Sequence, residues 1–242
     1  MKIIAHRGAS WVAPENTLAA FEAARRAGAD LIEVDIQMLA DASAAVIHND
    51  TVDATTDGRG PVNTFTPATI GALDAGAWFS PHFAGQRVPL LPDLLNFAAA
   101  APSPAILLEA KGVWEEEALG GVFTAIDDAG LAERFVFQSF ELPTLGAAAR
   151  LAPDIPRQWL LEHWREDAVE AAYEVDVTGV NPDGRILLEH PDFVDEMHGA
   201  GLEVSVWTLN EPHHWSAARD IGVDGIITDR PGMLAGWLAA QG

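Results

Sequence analysis

The chain is expected to fold as a closed (β/α)₈ barrel, an α/β architecture of the TIM type, with a small hairpin-containing insertion after the second strand. Three observations predict it. Eight short apolar runs recur along 242 residues, helical patterns lie between most of them, and no long Gly/Ser linker breaks the alternation. Strand, helix and strand repeated in this way give parallel strands joined by right-handed crossovers. A single barrel of this kind takes about 250 residues, so residues 1–242 are expected to form one domain.

The first run, KIIAH at residues 2–6, is followed by NTLAAFEAARRAGA, with Asn16 or Thr17 as the N-cap and Gly28 closing the helix. The second run, LIEVDI at 31–36, carries Glu33 and Asp35 two residues apart, which puts both side chains on one face of the strand. Two carboxylates aimed into one space repel unless something positive lies between them. Residues 37–104 are too long for one connection. There AAVIH returns from a turn near Asp41–Ser43, and folding about residues 41 and 42 is expected to set His48 opposite Asp35. A Gly-, Pro- and Thr-rich stretch and a helix near residues 92–100 complete this excursion. The remaining strands are AILLEA (105–110), FVFQS (135–139), RQWLL (157–161), VTGVN (177–181), EVSVW (203–207) and GIIT (225–228).

Composition narrows the function classes. The formal charge of −22 opposes binding of nucleic acid, which needs clustered Lys and Arg to neutralise phosphates. No apolar run approaches the roughly 20 residues that cross a bilayer, so membrane insertion is not expected. Cysteine is absent, which leaves His, Asp and Glu as metal ligands. With no secretory n-region, h-region and cleavage site in MKIIAHRG, the expected location is cytoplasmic.

Barrel enzymes assemble their sites at the C-terminal ends of the strands. There this sequence offers His6 and Arg7, Glu33 and Asp35, Glu109 and Lys111, Gln138 and Ser139, Asn181, Trp207 and Thr208, and Asp229. Glu33, Asp35 and Glu109 form a hard-oxygen set suited to a divalent ion, Mg²⁺ or Ca²⁺. Arg7 and Lys111 add the positive charge a phosphate needs. His6 and His48 can serve as acid and base, because imidazole titrates near neutrality.

The stretches IIAHRGAS, PENTLAAF, GADLIEVDIQ, VIHND, LLEAKG, VWTLN and GVDGIITDRPG resemble, in order, the glycerophosphodiester phosphodiesterase family. The resemblance spans His6 to Gly232 and implies a TIM barrel with an insertion after the second strand. It implies metal ligation by Glu33, Asp35 and Glu109, catalysis by His6 and His48, and phosphate binding by Arg7 and Lys111. The implied reaction is metal-dependent hydrolysis of small glycerophosphodiesters to glycerol 3-phosphate and an alcohol, through a cyclic phosphate. Trp207 suits a wall against the glycerol or the leaving group. Asn49 departs from the family's usual Asp: it can hydrogen-bond His48 but brings no charge. Asn16 is expected to cap a helix rather than contact substrate. Lysophospholipase D-type cleavage and non-catalytic phosphodiester binding are the competing readings.

Overall fold

The computed structural model describes residues 1–241. Eight parallel strands close into a barrel: β1 (Lys2–Ala5), β2 (Leu31–Met38), β4 (Ala105–Ala110), β5 (Phe135–Ser139), β6 (Arg157–Leu161), β7 (Gly179–Pro182), β8 (Glu203–Val206) and β9 (Gly225–Thr228). Strand β3 (Ala44–Val46) lies antiparallel on the upper end of β2. The barrel closes where β1 pairs with both β2 and β9, in the register Ala5↔Thr228 on the β9 side.

Around it stand α1 (Leu18–Arg26), α2 (Pro67–Ile70), α3 (Leu91–Ala99), α4 (Glu116–Asp128), α5 (Leu142–Leu151), α6 (Ala168–Glu174), α7 (Gly184–Glu189), α8 (Phe193–Gly199), α9 (Pro212–Asp220) and α10 (Pro231–Ala239). Helix α1 illustrates the local logic. Thr17 has extended backbone and its hydroxyl accepts from the Ala20 N–H, so it, and not Asn16, is the cap. Ala20, Phe21 and Ala24 form the buried face, Arg25 and Arg26 sit in the last turn where they oppose the helix dipole, and Gly28 follows at φ 76°. Burying Phe21 alone stabilises the contact by about 2 kcal/mol.

The period of two along each strand divides the core. Ile32, Val34, Ile36, Ile106, Leu108, Phe137 and Val204 point outward into the layer beneath the helices. On the inner face, Ile4, Leu107 and Ile227 form an apolar plug, joined by Leu31, Val136 and Trp207. Two residues further along the same strands the inner face turns polar: His6 follows Ile4, Glu33 follows Leu31, Glu109 follows Leu107, Gln138 follows Val136 and Asp229 follows Ile227. The barrel is therefore packed at its base and polar at its C-terminal mouth.

The hairpin differs from expectation by one residue. Its register is Ile36↔Val46, Gln37↔Ala45 and Met38↔Ala44, and one step further would set Ile47, not His48, across from Asp35. The loop is closed by the Leu39 N–H to the Ser43 carbonyl, 2.8 Å, so it centres on Asp41 alone, with Ala42 at φ 64°. Its odd number of residues shifts the pairing by one. Past Val46, whose N–H donates to the Pro89 carbonyl, the chain leaves the strand, and His48 reaches the barrel mouth from a bend pinned by Gln37 Nε2 on its carbonyl, 2.9 Å.

Helix α3 packs Leu91, Leu94 and Ala98 into the main core and acts as the barrel's own helix between β2 and β4. The excursion before it has a separate small core of Leu39, Ala45, Ile47, Val52, Val62, Ile70, Ala75 and Val88. Among the described residues no helix is long and apolar enough to cross a membrane.

Candidate active site

Three carboxylates meet at the barrel mouth. Glu33, Asp35 and Glu109 each bring one oxygen to within 4.8 Å of the others, and all three side chains are buried. Register accounts for the meeting, because β2 pairs with β4 such that Asp35 lies beside Glu109.

Positive groups are distributed unevenly over this cluster. Arg7 Nε lies 3.3 Å from Asp35 Oδ2, an ion pair without hydrogen-bond alignment, while its Nη1 donates to Glu15 Oε1 at 2.9 Å. Lys111 Nζ donates to Glu109 Oε1 at 2.6 Å and stands 3.9 Å from Asp35 Oδ1. Asn16 grips Asp35 twice: Nδ2 donates to Oδ2 at 2.8 Å, and Oδ1 accepts the Asp35 backbone N–H at 3.2 Å. Glu33 receives only the Arg7 backbone N–H, 2.9 Å on Oε2, and its Oε1 is buried with no partner.

The acidities follow. Burial first, then the charges of Asp35 and Glu109, hold the Glu33 carboxyl well above the usual carboxylate range. Burial and Asp35 push Glu109 up to about 7 against the pull of Lys111. Burial acts upward on Asp35 too, but Arg7, His48, Lys111 and Asn16 outweigh it and leave its pKa lowered. For Lys111 burial acts downward, and Glu109 and Asp35 reverse it, so the ammonium is held more firmly than usual. A cluster that retains protons on buried acids and leaves one oxygen orphaned fits a hard divalent cation, which would be held by Glu33, Asp35 and Glu109.

His48 borders the cluster, and His6 stands at the same mouth of the barrel on the residue before Arg7. His48 Nε2 faces the Lys111 ammonium at 3.2 Å, and because an ammonium only donates, Nε2 is an acceptor and Nδ1 carries the hydrogen toward Asn49 Oδ1, 2.9 Å. Burial, with help from Arg7 and Lys111, lowers the His48 pKa against the opposing effects of Asp35 and Asn49. His6 follows β1, and its Nδ1 lies 2.6 Å from Asp229 Oδ1. Trp207 is half-buried at the end of β8, anchored by Nε1 to the Asn181 carbonyl at 2.7 Å. Its ring meets Phe140 edge to face at 5.6 Å, and Lys111 Nζ lies 5.3 Å from the Phe140 centroid.

The turn that delivers His6 and Arg7 is demanding. Arg7 takes φ 56° and Gly8 φ 85°, and a Cβ on Gly8 would lie 2.6 Å from the Ala20 carbonyl carbon. Asn16 also takes a left-handed φ, 54°, and does so buried, tied to Asp35. The sequence pattern leaves Glu15 and Phe140 unassigned, places Asp229 at a strand end without a role, and reads Asn16 as a cap. The signals were present for two of them: Phe140 directly follows β5, and Asp229 directly follows β9. The remaining histidines lie elsewhere; His198, for example, pairs with Asp224 at 2.9 Å, and His190 stacks on Trp164.

Residues 6–233 match the family model described as the glycerophosphoryl diester phosphodiesterase family. The chain belongs to that family. A glycerophosphodiester phosphodiesterase of Caldanaerobacter subterraneus is 32% identical over 238 residues, covering 96% of this chain and 95% of the relative. Among solved structures, a glycerophosphodiester phosphodiesterase from Agrobacterium tumefaciens superposes with a TM-score of 0.82 at 29% identity, covering 98% of this chain and 99% of that one. A phosphodiesterase from Oleispira antarctica, in complex with the product sn-glycerol-3-phosphate, gives a TM-score of 0.88 at 25% identity, covering 99% and 97%. Membership of the glycerophosphodiester phosphodiesterases makes this protein a phosphoric diester hydrolase.

Proposed function

We propose that the protein hydrolyses small glycerophosphodiesters to glycerol 3-phosphate and an alcohol, in a metal-dependent reaction that uses His6 and His48 as its acid and base. The observation that carries the reading is the buried trio Glu33, Asp35 and Glu109, with an unpartnered oxygen on Glu33 and with two cations and two imidazoles at the same mouth of the barrel. The product named for the Oleispira antarctica structure supports the substrate class.

Glu33, Asp35 and Glu109 would hold a divalent ion, which would supply Lewis acidity to the site. Arg7 and Lys111 bind and orient the phosphate, Arg7 through a planar fork and Lys111 as a point charge. One histidine removes the proton from the glycerol hydroxyl next to the phosphoester while that oxygen attacks phosphorus. The bond from phosphorus to the alcohol oxygen breaks, and the other histidine delivers a proton to the departing alcohol. Water then opens the resulting cyclic phosphate, with the two histidines exchanging roles. The attacking oxygen belongs to the substrate itself, so the first step is intramolecular and gains from proximity. Trp207 and Phe140 give the leaving group an apolar wall.

The test uses metal-stripped protein with Mg²⁺, Ca²⁺ or Mn²⁺ restored, a panel of glycerophosphodiesters and lysophospholipids, and His48→Ala as control. Metal-dependent release of glycerol 3-phosphate from the small diesters, lost in the variant, is the expected result. Reaction with lysophospholipids alone would move the assignment to lipid cleavage, and tight binding without turnover would move it to a phosphodiester sensor.

A further inference from the structure

We infer that Asp229 is the positioning residue for His6, fixing which ring nitrogen carries the hydrogen and turning the other toward the substrate. The inference deepens the hydrolase reading and rests on it for its kinetic consequence.

Topology brings the pair together across the seam that closes the barrel. β1 and β9 run parallel with Ala5 beside Thr228, so the next residues of each strand, His6 and Asp229, are neighbours, and the His6 N–H is held on the Thr228 carbonyl at 2.9 Å. Their side chains meet at 2.6 Å, Nδ1 to Oδ1. The carboxylate is itself held from two other directions. Ser10 Oγ donates to Oδ1 at 3.0 Å, and Asn210 Nδ2 donates to Oδ2 at 2.6 Å. The Asn210 Oδ1 in turn accepts the Asp229 backbone N–H and the Thr228 hydroxyl, both at 2.9 Å. A carboxylate fixed at both oxygens has little freedom to follow the imidazole, so the imidazole must follow it.

Charge decides the tautomer. Burial acts to raise the Asp229 pKa, but His6, Asn210 and Ser10 outweigh it and hold it down at about 2. An ionised carboxylate only accepts, so the hydrogen between the two side chains sits on His6 Nδ1. The His6 Nε2 makes no hydrogen bond within the described residues, and it is the nitrogen available to a substrate proton. His48 has the same tautomer through a neutral partner, the Asn49 amide oxygen. The two imidazoles thus carry their hydrogens alike, but of the two it is His6 whose Nδ1 is hydrogen-bonded to a carboxylate that can offset the imidazolium formed during turnover.

The experiment pairs kinetics with nitrogen NMR on the full chain. Asp229→Asn is expected to lower kcat by roughly a hundredfold to ten-thousandfold, the range set by wrong-tautomer substitutions in His–Asp pairs, with KM within about threefold. In a His6→Ala background the same substitution should cost nothing further, because a residue acting only through His6 has nothing left to act on. In the resting protein above the imidazole range, nitrogen-15 spectra, assigned with His6→Gln, should show His6 protonated at Nδ1 in the wild type and at Nε2 in Asp229→Asn, because the Asn210 Nδ2 donor keeps the new amide's oxygen on its own side and turns the NH2 toward Nδ1. A kcat within about threefold of wild type, a loss that persists in His6→Ala, or an unchanged tautomer would each overturn the inference. Should the wild type release no glycerol 3-phosphate, the hydrolase reading falls while the tautomer measurement still decides the positioning.

Discussion

The buried carboxylates make the metal-free protein sensitive to pH in an unusual direction. Glu109 is shifted from 4.5 to about 7, and Glu33 is shifted the same way. Between the unfolded value and the folded one, the native state holds a proton that the unfolded state has released. Stability therefore falls as pH rises through this window, is fully present below about 4.5, and has been lost above about 7. The Glu109 shift corresponds to roughly 3 kcal/mol, about 6 °C in Tm for a chain of this size. His48, whose pKa is lowered, contributes in the opposite direction below about 6.5, so wild type alone is a poor reporter. The informative quantity is the difference between metal-stripped wild type and Glu109→Gln, which fills the same space without titrating. Followed by urea denaturation from pH 5 to pH 8, that difference should shift by about 3 kcal/mol against wild type. Added Mg²⁺ or Ca²⁺ competes with the protons, so its Tm gain should be clearly larger at pH 8 than at pH 5. A difference that stays flat with pH, together with equal metal gains at both ends, would refute the view that these acids are held protonated for want of a cation.

Substitutions at three other positions probe the frame. Asn16→Ala removes two hydrogen bonds to Asp35 and puts a residue with no polar side chain at φ 54°, which together should cost about 3 kcal/mol, while Asn16→Gly, free of the backbone strain, should cost about 1 less; calorimetry on both variants checks this. Asn49→Asp places a charge on His48 Nδ1, now 2.9 Å from an amide oxygen, and should move the limb of the kcat/KM profile that His48 governs by about one unit toward higher pH; superimposable profiles would show that Asn49 and Asp are equivalent there. Gly8→Ala drives a Cβ to 2.6 Å from backbone of α1 at φ 85° and should destabilise by more than about 3 kcal/mol, a change urea melts resolve easily.

How far the sequence reaches depends on the distance over which a feature is determined. All eight barrel strands were legible because each is a local apolar run with turn residues at its ends, and the alternation of inward and outward side chains follows from strand period alone. The register of the hairpin was not, because one residue in a loop decides it, and the left-handed Ala42 that completes the turn carries no signal of its own. Asn16 illustrates a different limit. Next to Thr17 at the start of a helix, it has the composition of a cap, and only its tertiary partner, Asp35 on β2, gives it another role. Asp229 was visible as a residue at a strand end, but its relation to His6 depends on closure of the barrel between the first and last strands, 223 positions apart.

The charge pattern at the barrel mouth ties these observations into one requirement. Three buried carboxylates, with Glu15 on Arg7, face two cations, Arg7 and Lys111, leaving the barrel mouth two negative charges in excess when all the acids are ionised. A phosphodiester is itself an anion, so it would approach a site of like charge. The cluster can lose its excess in two ways. Protons on both Glu33 and Glu109 make the site neutral, and the raised pKa values of both residues reflect that solution. A divalent cation would cancel it as a concentrated charge with coordination positions to spare, and only this second solution would offer an anionic substrate a point of attraction. The same acids can hold either protons or, as proposed above, a metal ion, and an anionic substrate would favour the metal form. By linkage, a non-hydrolysable phosphodiester analogue should tighten metal binding by the same factor as the metal tightens binding of the analogue. Calorimetric titrations in both orders measure the two factors, and a metal affinity unmoved by saturating analogue would mean that the phosphate is held by Arg7 and Lys111 without reference to the carboxylates.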